Sequence, residues 1–100
     1  MSSLRLRKEH IRLLTRSNIP YTVSGNKLVM NFEDFSITIE RRKKPSGDKE
    51  YRYYVYLIVD NKKCHMITFD KLKNAIEFVV QSLEKGIPID VVVKIVKKIK

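Results

Sequence analysis

One hundred residues with 21 Lys and Arg against 11 Asp and Glu carry a net charge of +10, and read as a single basic domain over 1–100. A chain this short buries roughly 65% of its unfolded surface, enough for one core but not for an elaborate enclosed active site. No stretch approaches the ~18 continuous apolar residues of a membrane span. The N-terminus is charged from Arg5 onward and reads as lacking a signal peptide. Cys64 is the only cysteine, which excludes an internal disulfide and fits a reducing, cytoplasmic compartment.

The absence of tryptophan, the single glutamine and the wealth of Lys, Ile and Val resemble thermophile compositions. Thermophilic enrichment adds Lys and Glu together, however, and leaves the net charge small. An excess of ten cations therefore points to a polyanion partner, with nucleic acid the commonest. Solubility and attraction to anionic lipid are the plainer explanations.

In chain order, residues 3–17 are predicted as a helix. Leu4, Leu6, His10, Ile11, Leu13 and Leu14 fall on one arc, and Arg5, Lys8, Arg12 and Arg16 fall on the opposite stripe. Asn18 and Pro20 stop it. Tyr21 to Ser24 and Lys27 to Asn31 flank Gly25-Asn26, a two-residue hairpin loop. That register pairs Val23 with Leu28 and Tyr21 with Met30 on one face. "FSITIERR" alternates strictly, with Phe35, Ile37 and Ile39 on one side and Ser36, Thr38 and Glu40 on the other. Glu33-Asp34 before it read as turn formers rather than an acid/base pair.

After a turn at 43–49, "YRYYVYLIVD" is a long strand. A turn at Asn61-Lys62 leads to a strand over 64–69, with Val59 opposite Cys64. Asp70 is the expected N-cap of a helix whose stripe is Leu72, Ala75, Ile76, Val79, Val80 and Leu83, ending at Gly86. Pro88 suits the first turn of a last helix, with Ile89, Val92, Val93, Val96 and Ile99 as its apolar stripe. Lys94, Lys97, Lys98 and Lys100 sit off that stripe and read as a solvated face.

The order is α-β-β-β-β-β-α-α. Short connections predict an antiparallel meander of four to five strands, with one N-terminal and two C-terminal helices, hence the α+β class.

Strand 51–59 has two unlike faces. Its odd positions, Tyr51, Tyr53, Val55, Leu57 and Val59, are the better core candidate, joined by Met66. Its even positions, Arg52, Tyr54, Tyr56 and Ile58, are joined by His65 and Ile67, with Val29 and Thr38 as further members. A water-facing side is normally polar, so this aromatic face asks for a cover. The candidates are a terminal helix, a second copy of the chain, or single-stranded nucleic acid stacked on the tyrosines.

Arg41, Arg42, Lys43, Lys44, Lys49 and Arg52 cluster about one hairpin end, with a Ser46-Gly47 tip. They read as a basic arm for phosphates, or as a solvated loop partly neutralised by Asp48 and Glu50. The Arg5/Lys8/Arg12/Arg16 stripe reads as a second phosphate contact, or as an ordinary exposed face.

Signals for catalysis are thin. His10 and His65 lie on mainly apolar patterns. Cys64 and His65 are neighbours on a strand and point to opposite faces, which argues against a thiolate–imidazole pair and against a shared metal. No glycine-rich phosphate loop occurs. No cofactor, metal or small-molecule substrate is expected.

The expected function is sequence-tolerant nucleic-acid binding, DNA or RNA, with single strands ahead of duplex. It would use the arm, the helix stripe, and stacking on Tyr54 and Tyr56. The alternative is a non-enzymatic interaction or regulatory module, a homodimer or a docker of acidic partners. A virus or mobile element is a fitting source for either.

Overall fold

The computed structural model describes residues 4–44 and 50–99, and of residue 99 the backbone alone. Lys49, the Ser46-Gly47 tip and Lys100 lie outside the described residues. Eight elements follow the chain: α1 (Lys8–Arg16), β1 (Thr22–Ser24), β2 (Lys27–Asn31), β3 (Ser36–Lys43), β4 (Tyr51–Val59), β5 (Lys62–Phe69), α2 (Leu72–Lys85) and α3 (Ile89–Ile99). The strands form one antiparallel sheet in the order β1-β2-β3-β4-β5. This is the expected meander, and the class is α+β. No helix among the described residues is long and apolar enough to cross a membrane.

Turn chemistry sets the register. Gly25 takes φ +59 in the two-residue β1–β2 loop, a conformation that costs glycine nothing. Val23 then faces Leu28 as expected. At the β4–β5 loop, Asp60 and Asn61 both adopt positive φ, 49 and 65, as a type I′ hairpin requires. Val59 therefore faces Lys62, and Leu57 faces Cys64. The expected Val59–Cys64 pairing is corrected by this tighter turn. A bulge opposite Val55 and Tyr56 then leaves Met66 as an extra residue on β5. It shifts Ile67 to the side of Val55 and brings Thr68 beside Tyr54, so Ile67 leaves the even face to which the sequence assigned it.

The odd face of the sheet is the core. Leu28, Met30, Ile37, Ile39, Val55, Leu57, Cys64 and Met66 are buried there. They join Leu14 of α1 and Leu72, Ala75, Ile76 and Val79 of α2 in one cluster. Phe69 of β5 meets Phe78 of α2 at 5.7 Å between ring centroids. β1 forms an open edge, and Tyr21 and Val23 stay exposed beyond the helices' reach.

Several helix expectations change, and Ile11 and Leu83, read into the apolar stripes of the first two helices, are exposed. The first helix begins at Lys8, not residue 3, because the Leu4 N–H donates to the Gly25 carbonyl at 2.8 Å and holds the leading segment extended. Asp70 does not cap α2. Lys71 holds the N-cap position without a side-chain hydrogen bond, and the Asp70 carboxylate lies 3.7 Å from Lys44 Nζ and 4.0 Å from Arg52 Nε. Gly86 does end α2, its N–H donating to the Ser82 carbonyl at 2.9 Å.

α3 is rotated from expectation. Val91 and Ile95, one turn apart, are buried beside β5, while Ile89 is 81% exposed and Val92, Val93 and Val96 are exposed with it. An edge strand offers a helix only a narrow seat, which a row of two residues fills. The longer stripe is left outside.

Candidate nucleic-acid interface

Among the described residues, no helix lies across the side of β3 and β4 opposite the core. α1 and α2 pack on the odd face, and α3 meets the sheet at β5. Among the described residues, side chains of the even face cover one another. Cross-strand pairing aligns Thr38, Tyr56 and His65 in one row and Glu40, Tyr54 and Thr68 in the next. Tyr54, Tyr56, Ile58 and His65 are all half-buried.

The centre of this face is a carboxylate. Glu40 is 3% exposed. It accepts a hydrogen bond from the Arg42 guanidinium at 3.0 Å and another from the Lys63 ammonium. Burial pushes its carboxyl up, but the hydrogen bonds from Lys63 and then Arg42 outweigh burial and hold it below the ordinary carboxylate range. Both cations also lie over tyrosine rings. Arg42 is 5.4 Å from the Tyr54 centroid and 5.9 Å from that of Tyr56, and Lys63 is 4.3 Å from Tyr56. The His65 ring packs at 5.8 Å from Tyr54 and 5.5 Å from Tyr56, and shares a 2.7 Å hydrogen bond with the Thr68 hydroxyl. Burial, then Lys94, lowers the His65 pKa against a backbone hydrogen bond at Ile67. Lys94 and Lys97 of α3 line a groove with His65 and Thr68, so the C-terminal lysines border the aromatic face.

The cations at the hairpin end divide by parity. Arg42 lies on the tyrosine face. Arg41 lies over the Tyr51 ring at 4.5 Å and lines a cleft on the core side of the sheet. Lys43 is exposed. Lys44 donates to Glu50 at 2.8 Å. Arg42 and Arg52 face each other across β3 and β4, a repulsive pairing relieved because each meets a carboxylate, Glu40 and Asp70. On α1, Lys8, Arg12 and Arg16 are exposed and keep their stripe. Arg5 precedes the helix and leaves that stripe to join Arg41 in the cleft.

Sequence reasoning missed Glu40 as an organiser and Lys63 as a member of the face. Strict alternation in 36–40 put Glu40 on the side of Thr38, which pairing places beside Tyr54, but Lys63 needed the true hairpin register. Among the described residues no cluster of three or more His, Cys, Asp or Glu is placed to hold a metal. Cys64 is buried on the core side, facing away from His65. Comparison of the chain with family models, curated proteins and solved structures finds no match.

Proposed function

We propose that the protein is a non-enzymatic, cytoplasmic nucleic-acid binder that tolerates any sequence and takes single strands ahead of duplex. The observation that carries this reading is a sheet face of tyrosines and cations with no helix across it, on a chain of net charge +10. Tyr54 and Tyr56 offer ring faces two residues apart, and base–aromatic stacking contributes about 1–3 kcal/mol per base with little sequence preference. Arg42 and Lys63 now cap those rings. A base that stacks displaces them, and the strand's phosphates are where the displaced cations go. Lys94 and Lys97 supply a second basic wall. Lys43, Lys44 and Arg52 carry positive charge to the hairpin end beside the tyrosines, and the stripe of Lys8, Arg12 and Arg16 on α1 is a separate basic face on the helix side of the sheet.

Oligonucleotide affinity measured against salt tests the proposal. Engaging ~4–6 phosphates on a single strand gives a log–log slope of roughly −3 to −4. A flat response, or no binding of DNA or RNA at low salt, would sink it.

A second reading has its own support. The exposed stripe Ile89, Val92, Val93 and Val96 on α3, with lysines beside it, suits an interaction module that pairs with another copy or an acidic partner. Melting temperatures that rise with protein concentration would favour that reading.

A further inference from the structure

On the core side of the sheet, away from Tyr54 and Tyr56, three chain segments converge on a second basic surface. The extended N-terminal segment brings Arg5 and Arg7, the end of β3 brings Arg41, and the start of α2 brings Lys71 and Lys73. They line one cleft of about 960 Å3, with Tyr53 on its wall. The acids on the lining are Glu9 and Asp70. Asp70 is shared with Lys44 and Arg52, and the first turn of α2 contains no acid. Lys73 also lies 4.0 Å from Glu77, outside the lining. Among the described residues the lining thus carries five cations against two carboxylates, gathered in one concavity. His10, buried at this cleft, reports the same field. Its pKa is lowered by burial and, against Glu9, by Arg7 and Lys73.

The extended segment is what builds the site. Had residues 4–7 been helical, Arg5 would lie on the outer stripe with Lys8 and Arg12. The Leu4–Gly25 hydrogen bond draws Arg5 toward Arg41 instead. Arginines and lysines brought to one cleft by three separate segments suit a compact, multiply charged anion with many acceptor oxygens. A lone carboxylate offers neither the charge nor the oxygens to engage five cations.

We propose that this cleft seats a phosphate-rich group, a phosphomonoester or a short run of phosphates. The 5′-phosphate at the end of a strand and a free nucleoside polyphosphate both carry that chemistry. The proposal stands apart from the tyrosine face, and its failure can be told from failure of that reading.

The test is titration calorimetry of the full chain with inorganic tripolyphosphate at low ionic strength. Wild type binds, and the Arg5→Ser/Lys73→Ser double variant, changed at two exposed positions, loses about tenfold or more in affinity, the scale of one charge-assisted hydrogen bond. Lys85→Ser/Lys98→Ser removes the same charge elsewhere and stays within about twofold. Tyr54→Ala and Tyr56→Ala leave tripolyphosphate binding intact even if they abolish strand binding. No binding by wild type, or equal losses in the two double variants, overturns the proposal. Oligonucleotides with and without a 5′-phosphate then assign the source. A preference for the phosphorylated end that vanishes in Arg5→Ser/Lys73→Ser supports strand ends, and tripolyphosphate binding without such a preference supports a free polyphosphate.

Discussion

The two faces of β4 share one backbone and differ in almost everything else. Val55 and Leu57 look inward and are buried under α1 and α2 in an apolar cluster. Tyr54 and Tyr56 look outward and are covered by Arg42, Lys63 and His65, whose polar heads are satisfied by Glu40 and Thr68. The inner face holds the fold by removing area from water. The outer face holds itself together through a network that a ligand could reopen. Exposed tyrosines therefore need no helix over them to be half-buried. Long cationic side chains lay their methylenes and charges across the rings and keep their heads near water.

The largest effect separates these faces by stability. Ile39 is fully buried, and Ile39→Ala should cost about 2–5 kcal/mol, lost contacts and a cavity together. Tyr56→Ala should cost less, about 1–2 kcal/mol, because its ring is only half-buried and its partners include partly exposed cations. Urea denaturation of the two variants checks this. Equal losses would mean that the outer face is packed as a core, and stacking on it would then be untenable.

The next effect concerns the buried carboxylate. Lys63→Ala leaves Glu40 with the Arg42 hydrogen bond and the cross-strand charge of Lys27, and stripping a hydrogen-bond partner from a buried acceptor costs about 1–3 kcal/mol. A double-mutant cycle between Lys63→Ala and Glu40→Gln should give a coupling of about 1 kcal/mol or more. The same cycle at Lys73 and Glu77, 4.0 Å apart on the surface of α2, should give less than about 0.5 kcal/mol. Similar couplings at both pairs would remove Glu40 from the centre of the network.

Acid should weaken both faces. His10 on the core side and His65 on the outer side have lowered pKa values, so the unfolded chain binds their protons more readily than the folded one. Stability then falls as pH drops below about 6.5. Glu40 is likewise lowered, and its contribution is lost at more acid pH as its carboxyl protonates. Melting temperatures from pH 7.5 down to about 2.5 should therefore decline in two stages, the second below the ordinary carboxylate pKa. His65→Gln should flatten the first stage in part and leave the second. A profile unchanged in that variant would show that His65 does not titrate against folding.

Much of this was legible in the sequence. Strict alternation in 36–40 and parity in 51–59 told the faces apart, and two-residue turn chemistry fixed β1–β2. Two kinds of feature were hidden. The first is register: Asp60 and Asn61 carry the I′ signal without a glycine, and the bulge at Met66 leaves no mark in the pattern. Placing Lys63 beside Ile58 on the outer face needed the turn, and placing Thr68 beside Tyr54 needed the bulge. The second is competition between equal patterns. α3 has apolar residues at 91 and 95 as well as at 89, 92, 93 and 96, and only the edge position of β5 decides which row is buried. Arg5 was misplaced for a related reason, since the hydrogen bond that keeps it out of α1 comes from a turn some twenty residues away.

The smallest effect tests the turn on which the assignment of faces to β5 depends. Asn61 sits at φ 65, where Asn is tolerated and Gly is unstrained. Asn61→Gly relieves the residual Cβ clash in the folded state but loosens the unfolded chain, and the two act in opposite directions. The net change should be a stabilisation of no more than about 0.5 kcal/mol. Asn61→Val places a β-branched residue at positive φ and should cost about 1–2 kcal/mol. Because this hairpin sets Lys63 against Glu40, the strain in Asn61→Val should also weaken the network on the tyrosine face. The coupling measured between Lys63 and Glu40 should shrink in the Asn61→Val background, while the cost of Ile39→Ala stays as it was. If Val is as well tolerated at 61 as Gly, the two-residue turn is not what holds the register. The placement of Lys63 over Tyr56 would then need another cause.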